Sequence, residues 1–429
     1  MPIIESVQVA AVPIPLDVVT SFSTRTVRER HYCIVKVRSR DGIEGVGFCY
    51  VGSAAGDIAK TAVEQLLAPK LIGQNSHRSE GLWNDMYAES ILQGRAGSVM
   101  RGISILDTAI WDLNARSVGL PLHQFMGCVV DDRVPAYASG GYYLEGKTPA
   151  KLGKEMEAFV KLGFKAVKMK VGRLSPREEE ARVKAARSAI GEDVLLTLDA
   201  NNAWHDLPTA MEYVRRFEKY NPYWLEEPFS PDAIDLHARL AKSTSITIAT
   251  GEIEVGRWRF RELVDAGGAG ILQADAAVCG GISEFRRIAA YADSKGITVC
   301  PHWFHDLHAP LVAATPNARF VEFFPDNQVL NFRRLVNKQL AFKNGDLILH
   351  KTPGLGFEFD EAAVKKYAAA QSVQVVSDRP GRCHRNHFHS TRSDKQKIDR
   401  THRPNEAQGN GLPELAQDQS IRTKQCHLK

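Results

Sequence analysis

Eight residues that can ionise or bind a metal recur along the middle of this 429-residue sequence at nearly even spacing. They are Lys168 and Lys170 in "KAVKMKVG", then Asp199, Glu226, Glu252, Asp275, His302 and Glu322. Counted from Lys170, the intervals are 29, 27, 26, 23, 27 and 20 residues. Each interval is close to the length of one strand-plus-helix unit, so the groups belong at the ends of successive strands. Isolated carboxylates at strand ends usually cap a helix or sit in solvent, but that does not produce a regular series.

The residue types then limit the chemistry. Asp199, Glu226 and Glu252 fall on three consecutive strand ends. Three carboxylates forced together raise one another's pKa unless a cation lies between them. Hard oxygen ligands suit Mg2+, which keeps its other positions for water or substrate. Lys168 and Lys170 share a face of an extended chain, and each disfavours charge on the other. One pKa is therefore expected to fall toward that of a working base, while the other lysine stays charged beside an anion. Asp275 is placed to orient His302 as an acid or base. A metal, a lysine and a histidine around one mouth suit removal of the weakly acidic proton next to a carboxylate, through an enediolate.

The elements that would position these groups are legible in outline. "IIESVQVAAVPIPL" and "HYCIVKVRSRDGIEGVGFCYV" read as antiparallel strands, with Asp41-Gly42 at a hairpin turn. Helical patterns follow in "IAKTAVEQLLAPKLIG" and "VMRGISILDTAIWDLNARSVG". From Val134 on, eight short apolar runs alternate with amphipathic stretches, which predicts a parallel (β/α) barrel. No GxGxxG follows the first strand, against a dinucleotide fold. The expected division is an α+β module over 1–130, the barrel over 131–325, a hairpin and helix over 326–377 packing back on the first module, and a polar tail over 378–429.

Composition narrows the classes. The hydrophobic fraction of 44% and charged fraction of 24% are those of a globular protein. No apolar run approaches the ~20 residues that span a bilayer, and the start has no basic region of a signal peptide. Seven cysteines without CxxC spacing fit a reducing cytoplasm. The tail carries 11 Lys/Arg against 6 Asp/Glu, which is the whole net charge of +5. The body has no basic signature, so no nucleic-acid or membrane partner is expected. The tail reads as disordered, and its "CHRNHFH" run is not read as a dedicated metal site.

In this order and spacing the KxK of Lys168 and Lys170, the "LDAN" of Asp199, the "EEP" of Glu226, the "GE" of Glu252, and Asp275, His302 and Glu322 resemble the enolase superfamily, and within it the mandelate racemase subgroup. The resemblance runs to about residue 370 and implies an α/β fold: a modified (β/α)7β barrel with an N-terminal α+β capping domain. It implies Mg2+ on Asp199, Glu226 and Glu252, and Lys170 as base on one face of the α-carbon. It gives His302, held by Asp275, the other face, and Lys168 the task of neutralising the substrate carboxylate and lowering the pKa of Lys170. It casts Glu322 as a neutral hydrogen-bond donor to the enediolate and Asn201 as a contact to a substrate hydroxyl. Phe22 and Arg25 in the loop from Val18 to Thr26, and Tyr50 in "YVGSAAG", are candidate specificity residues; so are Trp303, His305 and His308. Glu227 is expected to point away from the site.

The resemblance implies a small-molecule carboxylate substrate, an acid sugar, and a homo-oligomer such as an octamer. Two reactions use these residues equally well: dehydration of an aldarate or aldonate to a 2-keto-3-deoxy acid, and racemisation or epimerisation of a 2-hydroxy acid. Dehydration is favoured by the subgroup's membership and, among the residues, by the polar groups Arg25, His305 and His308.

Overall fold

The computed structural model describes residues 1–325, 329–368 and 373–376; the basic stretch 378–429 lies outside the described residues. Alternating apolar positions build a long antiparallel meander of β1 (Ile4–Ser21), β2 (Thr26–Ser39) and β3 (Glu44–Tyr50). Asp41 and Gly42 form the turn before β3, with Gly42 at φ 85. Helices Ser79–Ser90 and Gly97–Ser117 complete this cap.

The barrel follows as β4 (Arg133–Ser139), β5 (Ala166–Lys170), β6 (Leu195–Asp199), β7 (Trp224–Glu226), β8 (Thr247–Thr250), β9 (Ile271–Leu272), β10 (Thr298–Val299) and β11 (Val321–Phe323). Neighbours pair in parallel from β4 to β10, and β11 pairs with β4 while Ala318 bridges Val299, which closes the ring. Seven α-helices lie between these eight strands, from Pro149–Lys161 to His305–Ala313. The architecture is therefore the expected (β/α)7β barrel with its α+β cap. After β11 the chain forms the hairpin β12 (Ala341–Lys343) and β13 (Asp346–Ile348), helix Glu361–Tyr367 and β14 (Val373–Val376). This segment divides its attachments. β13 extends the barrel sheet beside β4, whereas β14 pairs with β1 of the cap.

Period-two patterning explains why charge points inward. In β5, Val167 and Met169, with Val171 just beyond, join Leu196 and Leu198 of β6 in one apolar layer against the surrounding helices. Full burial of each such side chain is worth about 1.5–3 kcal/mol. A one-residue slip would exchange that layer for lysines and carboxylates, so the register is strongly specified. Register then sets the level of each charged group. Lys170 pairs with Asp199 and Asp199 with Glu226, while Lys168 lies opposite Thr197, one layer deeper.

Cap and barrel share one core. A single apolar cluster includes Val7, Phe48 and Trp83 as well as Phe285, Phe304 and Phe332. A buried polar clamp reinforces it. Asp107 of the cap accepts from the Ser283 amide at 2.8 Å and hydroxyl at 2.7 Å, in the first turn of helix Gly281–Ser294. Burial nevertheless pushes the Asp107 carboxyl up to about 7. A Cβ on Gly281 would fall 2.4 Å from Asp107 Oδ2, so only glycine permits this approach. No helix among the described residues is long and apolar enough to cross a membrane.

Candidate active site

At the C-terminal mouth of the barrel, one ligand atom from each of Asp199, Glu226 and Glu252 lies within 4.8 Å of the other two. Asp199 and Glu226 are fully buried. Burial first, then Glu227, Asp199 and Glu226, push the Glu252 carboxyl well above its usual range. Burial and Asp199 raise that of Glu226 as well. Glu252 Oε2 is buried without a hydrogen-bond partner. A buried, mutually repelling, partly unpartnered set of hard oxygens is what a divalent cation would relieve, so these residues fit Mg2+.

A cavity of about 260 Å3 opens above this cluster. Its lining includes Lys170, Asn201, Glu252, Asp275 and His302 from the barrel, together with Trp303. Phe22, Arg25 and Tyr50 face it from the cap. The cap loop is fastened directly to the site. The Ser23 hydroxyl donates to the Ala200 carbonyl, and the Thr24 hydroxyl to that of Asn201 at 3.1 Å. Asn201 keeps its buried side-chain oxygen without a partner, available to a substrate hydroxyl.

His302 Nδ1 lies 3.1 Å from Asp275 Oδ2, and its Nε2 lies 3.4 Å from Glu252 Oε2. Asp275 is itself fixed: the Ala277 amide donates to its Oδ1 at 2.8 Å. Burial opposes its charge, but His302 and His308 hold its carboxyl well below the usual range. His308 is fully buried and accepts from the Ala276 amide at 3.0 Å, so it braces this turn and does not line the cavity. His305 is also fully buried, 3.3 Å from Asp306, and likewise leaves the lining.

The surroundings of three further residues differ from those their expected roles suggest. Lys168 Nζ donates to Glu226 at 2.8 Å and lies 2.7 Å from Glu322 Oε1 and 3.6 Å from Asp199. It is only 1% exposed and absent from the cavity wall, and in this structure it pairs with the protein's own carboxylates. Lys170 donates to Asp199. Burial is the largest influence and lowers its pKa, and Lys168 adds to that, but Asp199, Tyr142 and Glu226 together outweigh them and the net direction is upward, opposite to the expected fall. A cation on Asp199 would weaken that attraction. Glu322, finally, accepts a backbone hydrogen bond. The Trp303 amide donates to Oε2 at 2.8 Å. Burial would raise the Glu322 carboxyl, but Lys168, then His302 and Lys170, bring it down to about 2.

That last value carries a sign. The folded pKa lies below the ordinary 4.5, so this group's stabilisation is complete above about pH 4.5 and is lost as pH falls toward about 2. It amounts to something on the order of 3 kcal/mol. Glu322→Gln is expected to lower the urea midpoint at pH 7, with the gap to wild type narrowing steadily between pH 4.5 and 3. A gap that stays constant over that range would contradict the ionised assignment.

Residues 4–127 match the mandelate racemase/muconate lactonizing enzyme N-terminal domain, and residues 151–363 match the enolase C-terminal domain-like family. The arabinonate dehydratase of Saccharolobus solfataricus is 33% identical over 77% of this chain and 89% of its own length. The chain belongs to the enolase superfamily, in its mandelate racemase subgroup. Another relative, the 3,6-anhydro-alpha-L-galactonate cycloisomerase of Streptomyces coelicolor, is 32% identical over 74% of this chain and 88% of its own length. Among solved structures, the L-talarate dehydratase of Polaromonas sp. JS666, complexed with Mg and L-glucarate, superposes with a TM-score of 0.78 at 30% identity, covering 88% of this chain and all of that one.

In this enolase-superfamily chain the sequence reading missed several wall residues, among them Glu227, Arg30, Arg101 and Tyr142. Glu227 was expected to face away. It lies just past β7 at φ 42, which turns it back into the cavity. Burial, then Asp199 and Glu226, push its carboxyl up to about 8. Asn201, Asn202 and Trp303 also line the cavity at positive φ, so four residues outside the favoured regions cluster here. Such backbone persists where surrounding packing over-determines it.

Proposed function

We propose that this chain is a Mg2+-dependent acid-sugar dehydratase, with Asp199, Glu226 and Glu252 as the metal ligands. One observation carries the reading. Lys170 at the end of β5 and His302 in the turn after β10 lie on either side of the carboxylate arc supplied by β6, β7 and the turn after β8, and both face one cavity together with Glu252. A substrate held at the arc is thus flanked by two proton-transfer groups. The named dehydratases among the relatives support the same choice.

Mg2+ bound there supplies a Lewis acid that stabilises negative charge on the substrate carboxylate. Asp199 would hold the Lys170 proton less firmly as a metal ligand, and Lys170 is the group placed to accept the α-proton. His302, oriented by Asp275, gives its proton to the departing 3-hydroxyl, which leaves as water. The resulting enol takes a proton at C3 and gives up the proton of its C2 hydroxyl to become the 2-keto-3-deoxy acid. Lys168 and Glu322 keep the arc in register from below, and Asn201 orients the sugar.

The same flanking pair suits 1,1-proton transfer, and one experiment separates the two. Acid sugars are incubated with the protein and Mg2+ in D2O, with 2-keto acid and α-deuterium both measured. Keto acid is the expected product. Deuterium incorporation with inversion and no keto acid would establish a racemase instead.

A further inference from the structure

Arg30 sits on β2 with only 2% of its surface exposed. Its Nε–H donates to the Val329 carbonyl at 3.0 Å. Its guanidinium lies 4.4 Å from the Trp303 ring centre and 5.1 Å from that of Tyr50, two rings stacked at 5.6 Å. The group is therefore held in place from two sides, while its two terminal NH2 groups make no protein hydrogen bond among the described residues. Arg30 lines the cavity, as do Arg101, whose Nε–H donates to the Tyr50 carbonyl at 3.1 Å, and Arg25 of the cap loop. Among the described residues none of the three has a carboxylate within 4.0 Å.

A buried cation without a counter-charge is strongly destabilising unless an anion completes it. A guanidinium fixed at Nε and open at both terminal nitrogens matches the two oxygens of a carboxylate. The cavity's acidic groups, Glu227, Glu252 and Asp275, all come from the barrel side, so the cap wall is uniformly positive. The metal arc accounts for one substrate carboxylate. The cap wall calls for a second anion on the same small molecule.

We propose that Arg30, assisted by Arg101 and Arg25, binds the far carboxylate of the substrate, and that the substrate is a dicarboxylic acid sugar. This rests on the dehydratase reading and narrows it from acid sugars in general to aldarates. Arg30 acts in selection and not in proton transfer.

The test compares aldarates, aldonates of matched configuration and their terminal phosphate esters, by kcat and KM with Mg2+, for wild type, Arg30→Met and Arg101→Met. Wild type is expected to favour aldarates by about a hundredfold in kcat/KM. Each variant should lose most of that preference through KM on aldarates while staying within about threefold on aldonates. Arg101→Met, on the rim of the packed aromatic pair, keeps the question answerable if Arg30→Met does not fold. Arg30→Lys should recover only part of the preference, because an ammonium cannot pair with both oxygens. Equal losses on both series would show a merely structural arginine and overturn the proposal, as would a wild-type preference for aldonates or phosphate esters. Keto acid from aldonates alone overturns this inference and leaves the dehydratase reading standing. Keto acid from no member of any series overturns both.

Discussion

Lys170→Met is expected to lower kcat by about 10^2–10^4-fold, the usual contribution of a positioned proton-transfer group, with KM changed little. The strand context makes the variant informative. Met169 already packs in the outer layer, and the inward position at 170 ends β5, so an apolar side chain of similar length can fill it. The loss would then report on the missing amine. Asp199 loses its Lys170 partner but keeps Lys168 at 3.6 Å and the Asn201 amide at 2.9 Å, so the ligand set should survive. Mg2+-induced thermal stabilisation, measured on the same sample, checks that. The companion variant His302→Asn should be as slow in forming keto acid yet still exchange the α-proton in D2O, because Lys170 remains to remove it. If Lys170→Met kept more than a tenth of wild-type turnover, Lys170 would not be the base.

Glu252→Gln is expected to move stability and activity in opposite directions. In the metal-free protein the Glu252 carboxyl is raised by burial and by its carboxylate neighbours, so its charge opposes folding at neutral pH. The sign is that of a group with a folded pKa above its unfolded one: its contribution favours folding in acid and is lost as pH rises. A neutral amide of the same shape removes the repulsion. The metal-free variant should therefore melt higher than metal-free wild type. With Mg2+ the order reverses. Wild type gains about 2.7 kcal/mol at a hundredfold excess over Kd, several degrees in Tm, while the variant gains little and its turnover falls to background. A variant that kept the full Mg2+-dependent rise in Tm would remove Glu252 from the ligand set.

These two expectations draw on different amounts of sequence information. The spacing of Lys170, Asp199, Glu226, Glu252, Asp275 and His302 was enough to place them at one mouth, because one strand-helix unit has a nearly fixed length. Spacing does not report the level of a residue along the barrel axis. Lys168, which the resemblance casts as a substrate contact, is set by register one layer deeper among Glu226 and Glu322. Pairwise charge arguments also pointed the wrong way for the Lys170 pKa, since two adjacent lysines are visible in the sequence and the Asp199 contact is not.

The residues overlooked share physical causes. Glu227 depends on a positive φ, which no side-chain pattern encodes for a non-glycine residue. Arg30 lies in the middle of an alternating strand, where arginine ordinarily reads as a solvated face. Only the docking of Trp303 and Val329 against that face makes it interior. Cap positions such as Phe22 and Tyr50 were legible because they lie in or beside loops at strand ends, where binding groups concentrate.

The two-ended attachment of the cap sets how the site can open. β1 is held by β2 on one edge and by β14 on the other, and Asn331 donates to the Ile14 carbonyl at 3.1 Å. The Asp107 clamp to Ser283 ties the cap to the barrel a second time, so the cap is not expected to swing as a clamshell lid. Passage of substrate and product is then expected to fall to cap loops such as the Phe22–Arg25 turn, which lines the cavity. Breaking and remaking the Ser23 and Thr24 hydrogen bonds is a movement of a loop, on the nanosecond-to-microsecond scale, and not of a domain. A cap built this way is expected to exchange ligands through a small doorway in a stationary wall.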